Sequence, residues 1–353
     1  MKAPNIIAHT ATIVDALRRL NNLPGGELTL FVVDDDGRLV GTLTDGDIRR
    51  ALLAEPDLTM SVSAACHKNF RSVSEDKLDP ALLREYRAQG ITQVPVLDSS
   101  RRLVRIINLI EVRTVLPLRA LLMAGGKGER LRPATQNTPK PLLQIEGKAL
   151  IDYNVEALAA CGITDINVAT GYLAEQIEQH FASPRGDVKV TCRREEKPLG
   201  TIGAAAFLSP AKATTDTLVM NSDLITTISF EEMYLHHRDL GADITIAAVP
   251  YQVSVPYAIL TTDSTNPNKV SAIEEKPAYS YYANAGIYIF RDSVLAGLVP
   301  GERCDATDLI ERTINAGGLV TYYPIKGTWI DVGSPVDFRQ AAELMRHHRN
   351  MTE

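Results

Sequence analysis

Leu118-Arg119-Ala120-Leu121-Leu122-Met123-Ala124-Gly125-Gly126-Lys127-Gly128-Glu129-Arg130-Leu131-Arg132-Pro133 is the stretch on which the fold turns. Ala120–Met123 reads as a buried strand. Gly125, Gly126 and Gly128 follow at once and let backbone amides approach an anion closely, while Arg130 and, further on, Lys140 add cations to the same charge. The loop is not a dinucleotide fingerprint, because Leu131 stands where the third glycine belongs. Nor is it a Walker loop, since no Gly-Lys-Ser/Thr follows. Further strand-like runs lie at Asp165–Ala169, Val188–Cys192, Leu218–Met220 and Ile244–Val249. Helical segments at Ile151–Cys161, closed by Gly162, and Phe230–Leu240, closed by Gly241, fall between them. Apolar strands alternating with helices predict an α/β fold whose mainly parallel sheet is covered on both faces. Ligands of such sheets bind beyond the carboxyl ends of the strands, so the loops there hold the candidate site.

Upstream of residue 118 the text changes and repeats itself weakly. Its first half orders a helix (Ile13–Leu20), a strand (Leu28–Val33), a turn (Asp34–Gly37), a strand (Leu39–Leu43) and a helix from Asp45. The second gives a helix (Pro80–Gln89), strands at Thr92–Leu97 and Leu103–Ile107, and a helix from Asn108. Each half offers one apolar sheet face, which predicts that the two pack together.

The chain has 353 residues, 37 Lys+Arg against 43 Asp+Glu, a net charge of -6 and 45% hydrophobic content. That length calls for at least two domains. No basic block suits nucleic acid, and no apolar run suits a signal peptide or membrane span, so a cytoplasmic protein is expected. Cys66, Cys161, Cys192 and Cys304 lack metal or CxxC spacing and read as reduced thiols. His236-His237 and His347-His348 fall in polar helical text and read as surface residues.

Residues 1 to 116 resemble a tandem pair of cystathionine-β-synthase-type (CBS) domains, about 5–57 and 58–116. The resemblance rests on Gly41-Thr42-Leu43-Thr44-Asp45-Gly46-Asp47, a strand followed by Thr-x-x-Asp. It implies a regulatory nucleotide with Thr44 near phosphate and Asp47 near ribose hydroxyls. Read as residues alone, the two are a helix cap and a first-turn carboxylate, and the pair then serves packing or homo-oligomerisation. The second half carries Asn108-Leu109-Ile110-Glu111 where Thr and Asp are expected.

Residues 118–353 resemble the sugar-1-phosphate nucleotidylyltransferases, on Gly125-Gly126-x-Gly128-x-Arg130-x-x-Pro133 followed by Pro139-Lys140-Pro141. The resemblance implies a Rossmann-like, mainly parallel (mixed) sheet and a nucleotide cradle made by Leu122, Ala124, Gly125, Gly126, Gly128, Pro198, Leu199, Gly200 and Thr201. The run Glu195-Glu196-Lys197-Pro198-Leu199-Gly200-Thr201-Ile202-Gly203-Ala204-Ala205 resembles the family's base-binding turn that leads into a helix, and its Leu199-Gly200-Thr201-Ile202-Gly203 resembles the form common in guanylyl-transferring members and favours GTP. Uridylyl or cytidylyl transfer is the alternative. Val219-Met220-Asn221-Ser222-Asp223 and Trp329-Ile330-Asp331-Val332-Gly333 resemble the two segments whose carboxylates bind Mg²⁺, with Ser222 replacing a glycine. Glu275, Lys276, Asn284 and Gly286, together with Tyr257 and Ala258, would hold the sugar 1-phosphate. Arg130, Lys140 and Asp223 are the implied catalytic residues. The architecture resembles glucosamine-1-phosphate guanylyltransferases of nonulosonic acid synthesis, with mannose- or heptose-1-phosphate as alternative acceptors.

Overall fold

The computed structural model describes residues 4–24, 28–183, 188–208 and 216–352, without side chains beyond residue 347. The chain divides into two units, Met1–Leu116 and Pro117–Glu353. Among the described residues no helix is long and apolar enough to cross a membrane, and all four cysteines are free.

The first unit contains β1 (Ile6–Ala8), α1 (Ile13–Asn21), β2 (Thr29–Val33), β3 (Leu39–Thr44), α2 (Asp45–Ala54), α3 (Val62–Ala65), β4 (Val73–Ser74), α4 (Pro80–Ala88), β5 (Gln93–Leu97) and β6 (Leu103–Asn108). Its two halves make matching three-stranded sheets, β1-β2-β3 and β4-β5-β6, each parallel in the first pair and antiparallel in the second. They meet as the sequence predicts: Phe31, Val33 and Leu39 bury against Leu97, and the Leu39 amide donates to Arg101 O (3.0 Å). The helix expected from Asn108 does not form. Asn108 Oδ1 instead accepts from the Ile110 amide (3.0 Å), a side-chain turn that competes with helix, and Pro117 closes the segment soon after.

The second unit follows with β7 (Leu118–Ala124), β8 (Gln144–Ile145), β9 (Lys148–Ala149), α5 (Leu150–Ala159), β10 (Asp165–Thr170), α6 (Ala174–His180), β11 (Lys189–Arg194), β12 (Asp216–Asn221), β13 (Leu224–Thr226), α7 (Phe230–Leu240), β14 (Ile244–Ser254), β15 (Ile259–Thr262), β16 (Val270–Glu274), β17 (Ala278–Phe290), α8 (Asp292–Leu295), α9 (Ala306–Asn315), β18 (Val320–Pro324), β19 (Trp329–Asp331) and α10 (Pro335–Thr352). Seven strands order as β11-β10-β7-β12-β17-β14-β18. The first four are parallel and β17 runs against both neighbours, which gives the mixed sheet expected. Leu121, Val219, Ile244 and Phe290 anchor one buried layer. The helix expected after Gly203 is only a 3-10 segment, Gly203–Phe207. Its entry is fixed by tertiary bonds: the Ile202 and Gly203 amides both donate to Cys304 O (3.2 Å).

His237 corrects another expectation. It sits on the inward face of α7, 2% exposed, with Nδ1 2.7 Å from Thr245 Oγ1 and Nε2 3.6 Å from Asp216. His347 is exposed as expected, and the His348 side chain lies outside the described residues. Burial holds the His237 imidazole down at about 4 and pushes the Asp216 carboxyl up to about 6, because each charged form loses water. The two act oppositely on stability. The His237 share is present above its ordinary 6.5 and lost as pH falls through 4. The Asp216 share is present below its ordinary 3.8 and lost as pH rises through 6. Asp216→Asn should therefore gain in melting temperature relative to the parent protein as pH rises from about 4.5 to about 7.5, and His237→Gln should gain as pH falls. Melting curves of the three proteins check this, and parallel pH profiles would refute it.

Candidate active site

The parallel strands reverse their order of addition at β7: β10 and β11 lie on one side of it, β12 on the other. Crevices open at such points, and here the ends of β7 and β12 are in register, Met123 opposite Asn221. A cavity of about 650 Å³ lies there. Among its lining residues are Ala124, Gly125, Gly126, Gly128, Arg130, Lys140, Pro198, Gly200, Thr201 and Asp223, all expected from the sequence.

The loop after β7 folds back on itself: Thr135 Oγ1 donates to Gly128 O (2.8 Å), and Gly128 is left-handed at φ 60°. On the opposite wall Gly200 has φ 82°, and a Cβ there would stand 2.5 Å from Cys304 O, so the turn needs glycine twice over. Its neighbour Thr201 is tied to the start of α9, accepting from the Ala306 amide (2.8 Å) while its own amide donates to Asp305 (3.1 Å).

Lys140 is only 9% exposed. Its ammonium donates to Asp223 and lies 3.9 Å from Asp331 Oδ1. The two carboxylates are brought together by the β13–β19 pair, in which Leu224 faces Asp331 and the Val332 amide donates to Asp223 O (3.0 Å). Burial, followed by the Asp223 charge, raises the Asp331 carboxyl above the usual carboxylate range. Asp223 Oδ1 is buried with no hydrogen-bond partner among the described residues. Two convergent carboxylates, one with an unpaired oxygen, form no closed metal cage, and no cluster of three or more metal-ligating side chains occurs among the described residues. They fit a hard divalent cation that completes its shell with water and phosphate oxygens, as Mg²⁺ does. Arg130 reaches over Gly333, where a Cβ would come within 3.0 Å of its guanidinium.

Ser222, in the place of the family's glycine, turns its hydroxyl back onto Met123 O (2.7 Å), so it binds the end of β12 to β7. Leu199 is buried in the turn after β11 and Leu122 inside β7, and neither lines the cavity. An apolar strand residue faces core on whichever side the sheet is covered, so only its backbone neighbours reach the crevice.

The sugar-side residues are dispersed. Gly286 backs onto Asn221, itself a lining residue. Asn284 Oδ1 accepts from the Gly286 amide (2.9 Å) and its Nδ2 donates to Tyr288 Oη (2.9 Å). Tyr257-Ala258 and Glu275-Lys276 flank the facing pair Ile259 and Glu274 at one end of the β15–β16 ribbon. None of these six lines the cavity. Sequence reasoning gave no site role to Asn221 or Arg303, which line the cavity, and took Glu195 only as the first residue of the base-binding turn. Glu195 opens the base-binding turn in the sequence, and nothing in that run singles it out from Glu196. The burial of Glu195, which raises its carboxyl above the usual range, is a product of tertiary structure.

In the first unit a cavity of about 470 Å³ is lined by Thr44, His67, Phe70, Arg71 and Thr92 among others, but not by Asp47. Asp47 is engaged in a capping box: Oδ2 accepts from the Thr44 amide (2.8 Å) and from Thr44 Oγ1 (2.6 Å), and the Asp47 amide returns a bond to Thr44 (3.3 Å).

The nucleotidyl transferase family profile matches residues 119–348, and a CBS domain profile matches residues 1–54. The chain therefore belongs to the nucleotidyl transferase family and carries a CBS domain in front. It is 32% identical over 230 residues to a mannose-1-phosphate guanyltransferase of Neurospora crassa, covering 63% of this chain and 62% of that one. It is 33% identical over 227 residues to the enzyme of the same name from Schizosaccharomyces pombe, with the same coverage. The chain thus spans about 62% of the length of the curated relatives it matches. Among solved structures, one described as a glucose-1-phosphate thymidylyltransferase of Bacillus anthracis, in complex with sucrose, aligns with a TM-score of 0.51 at 26% identity. The alignment covers 65% of this chain and 95% of that one.

Proposed function

We propose that this chain transfers GMP from GTP to a hexose- or hexosamine-1-phosphate, giving a GDP-sugar and pyrophosphate. The observation that carries the reading is the convergence of Lys140, Asp223 and Asp331 beside the glycine loop after β7. An ionised phosphate oxygen of the sugar 1-phosphate attacks the α-phosphorus of GTP. The new P–O bond forms there as the bond to the β-phosphate oxygen breaks. No proton needs to be removed from the nucleophile, so no general base is required. The loop amides and Arg130 hold the β- and γ-phosphates and the departing pyrophosphate, and Lys140 meets the charge that develops at the α-phosphorus. Asp223 and Asp331 would hold Mg²⁺, which when bound neutralises phosphate charge.

Guanine is supported by Glu195. It lines the cavity close to Gly125, and its Oε1 is buried without a partner among the described residues. A carboxylate accepts two hydrogen bonds, and guanine offers two adjacent donors, N1–H and the N2 amino group. Uracil and cytosine lack that pair of donors. Glu195→Gln should lower kcat/KM for GTP by about 10- to 100-fold, the worth of a hydrogen bond to a charged group, with a smaller effect on other triphosphates. An equal loss across all bases would remove Glu195 from base reading.

For the acceptor, glucosamine 1-phosphate follows from the two-domain resemblance, and mannose 1-phosphate is favoured by the names of the relatives. ³¹P NMR of a reaction with each sugar tests the reading: a new diphosphate ester accompanied by free pyrophosphate supports it. In the first unit, residues 58–116 act as a second CBS repeat. Its cavity, with Thr44 among aromatic and basic groups, is the candidate site for a regulatory nucleotide, while Asp47 serves as a cap.

A further inference from the structure

The turn at residues 198–203 takes its shape from a segment 104 residues further along the chain. The Cys304 amide donates to Leu199 O (2.9 Å), and the Ile202 and Gly203 amides return bonds to Cys304 O (both 3.2 Å). The two backbones lie close: a Cβ on Gly200 would stand 2.6 Å from Asp305 Oδ1, and one on Gly203 would stand 2.8 Å from Glu302 O. Glycine at both places lets residues 302–306 sit directly against the turn.

Bonds between backbone groups would serve many sequences. Asp305 adds a side chain to them. Its carboxylate is divided between two donors, Oδ1 taking the Thr201 amide (3.1 Å) and Oδ2 the Arg303 guanidinium (2.9 Å). The Arg303 bond fixes how the carboxylate is turned, and so where it holds Thr201. A peptide unit is planar, and its N–H and C=O point opposite ways when it is trans. Tying down the Thr201 amide therefore also aims the Gly200 carbonyl. Gly200 and Thr201 line the cavity together with Pro198, Glu195 and Arg303, whereas Asp305 stands behind them and does not line it.

We propose that Asp305 is a positioning residue for base selection, acting through the Gly200–Thr201 peptide without touching substrate. This rests on the reading of residues 195–203 as the turn that meets the base. The carboxylate engages Thr201 and Arg303, on the base side of the cavity, and the Asp305 amide engages Asp308 Oδ2 (3.3 Å) in the cap of α9. Its effect accordingly falls on nucleotide binding and on the preference among bases, while Lys140 and Asp223 continue to serve the phosphoryl step.

The test is calorimetry of GTP, ATP, UTP and CTP binding to the full chain without an acceptor sugar, alongside kcat/KM for each triphosphate. Asp305→Ala should weaken binding of the preferred triphosphate about 10-fold, the loss expected when a hydrogen bond to a charged group is removed. Its advantage over the next triphosphate should narrow by a similar factor, with kcat at saturation unchanged. Asp305→Asn, which keeps an acceptor for the Thr201 amide, should recover most of the loss. Asp308→Ala controls for the part that Asp305 plays in capping α9: it should lower the melting temperature and leave the preference among bases as in wild type. A fall in kcat with the preference intact in Asp305→Ala would overturn the proposal, as would an equal narrowing of preference in Asp308→Ala. The comparison is read on whichever triphosphate wild type prefers, so a preference for another base contradicts the guanine reading alone. A wild type that prefers none overturns both.

Discussion

Replacing Lys140 with alanine is expected to lower turnover in pyrophosphate release about 100-fold or more, the usual loss when one preorganised charge-stabilising donor is removed. Lys140 is nearly buried, and its ammonium is held between two carboxylates at the mouth of the glycine loop. A cation fixed there needs little reorganisation when negative charge grows on phosphorus, which is why its loss should fall on kcat. Lys140→Arg should recover little of it, because a guanidinium fork is broader than an ammonium and the site is closed by Asp223 and Asp331. Steady-state kinetics decide the matter, and near wild-type turnover would remove Lys140 from the mechanism.

The second large effect is expected at Asp223. Asp223→Asn keeps the shape of the side chain and removes a full charge from the pair that would hold the divalent cation. Turnover should drop about 100-fold or more, as several kcal/mol of lost charge stabilisation implies. The Mg²⁺ concentration for half-maximal rate should rise steeply. Lys140 takes one oxygen of this carboxylate, and among the described residues nothing bonds its buried Oδ1, which is left for a cation. An unchanged Mg²⁺ dependence in this variant would show that the cation is held elsewhere.

The sheet and its crevice were legible because the strand at Ala120–Met123 and the glycine loop after it are local: hydrophobic period and glycine spacing lie within one stretch of chain. Asp223 and Asp331 are far apart in sequence, and only family resemblance joined them before the β13–β19 pair did so in space. Features that depend on what packs from elsewhere were not legible. His237 sits in polar helical text, yet Thr245 and Asp216 enclose it. Glu195 stands beside Glu196 at the head of the base-binding turn, and only the approach of Gly125 in the β7 loop singles it out. The missing helix after Asn108 turns on one side-chain bond to a backbone amide, a choice that composition does not reveal. The strand β17 was hidden by its many tyrosines, which are at home in core and surface alike.

The central claim is guanylyl transfer, and the most direct measurement is pyrophosphate release with Mg²⁺ across a grid of nucleoside triphosphates and sugar 1-phosphates including glucosamine, mannose, glucose and N-acetylglucosamine. The account predicts strong release with GTP in the glucosamine or mannose column, abolished by chelation and by Lys140→Ala. Release that is strongest with UTP or CTP would contradict it, and so would GTP that binds by calorimetry yet gives no product with any sugar.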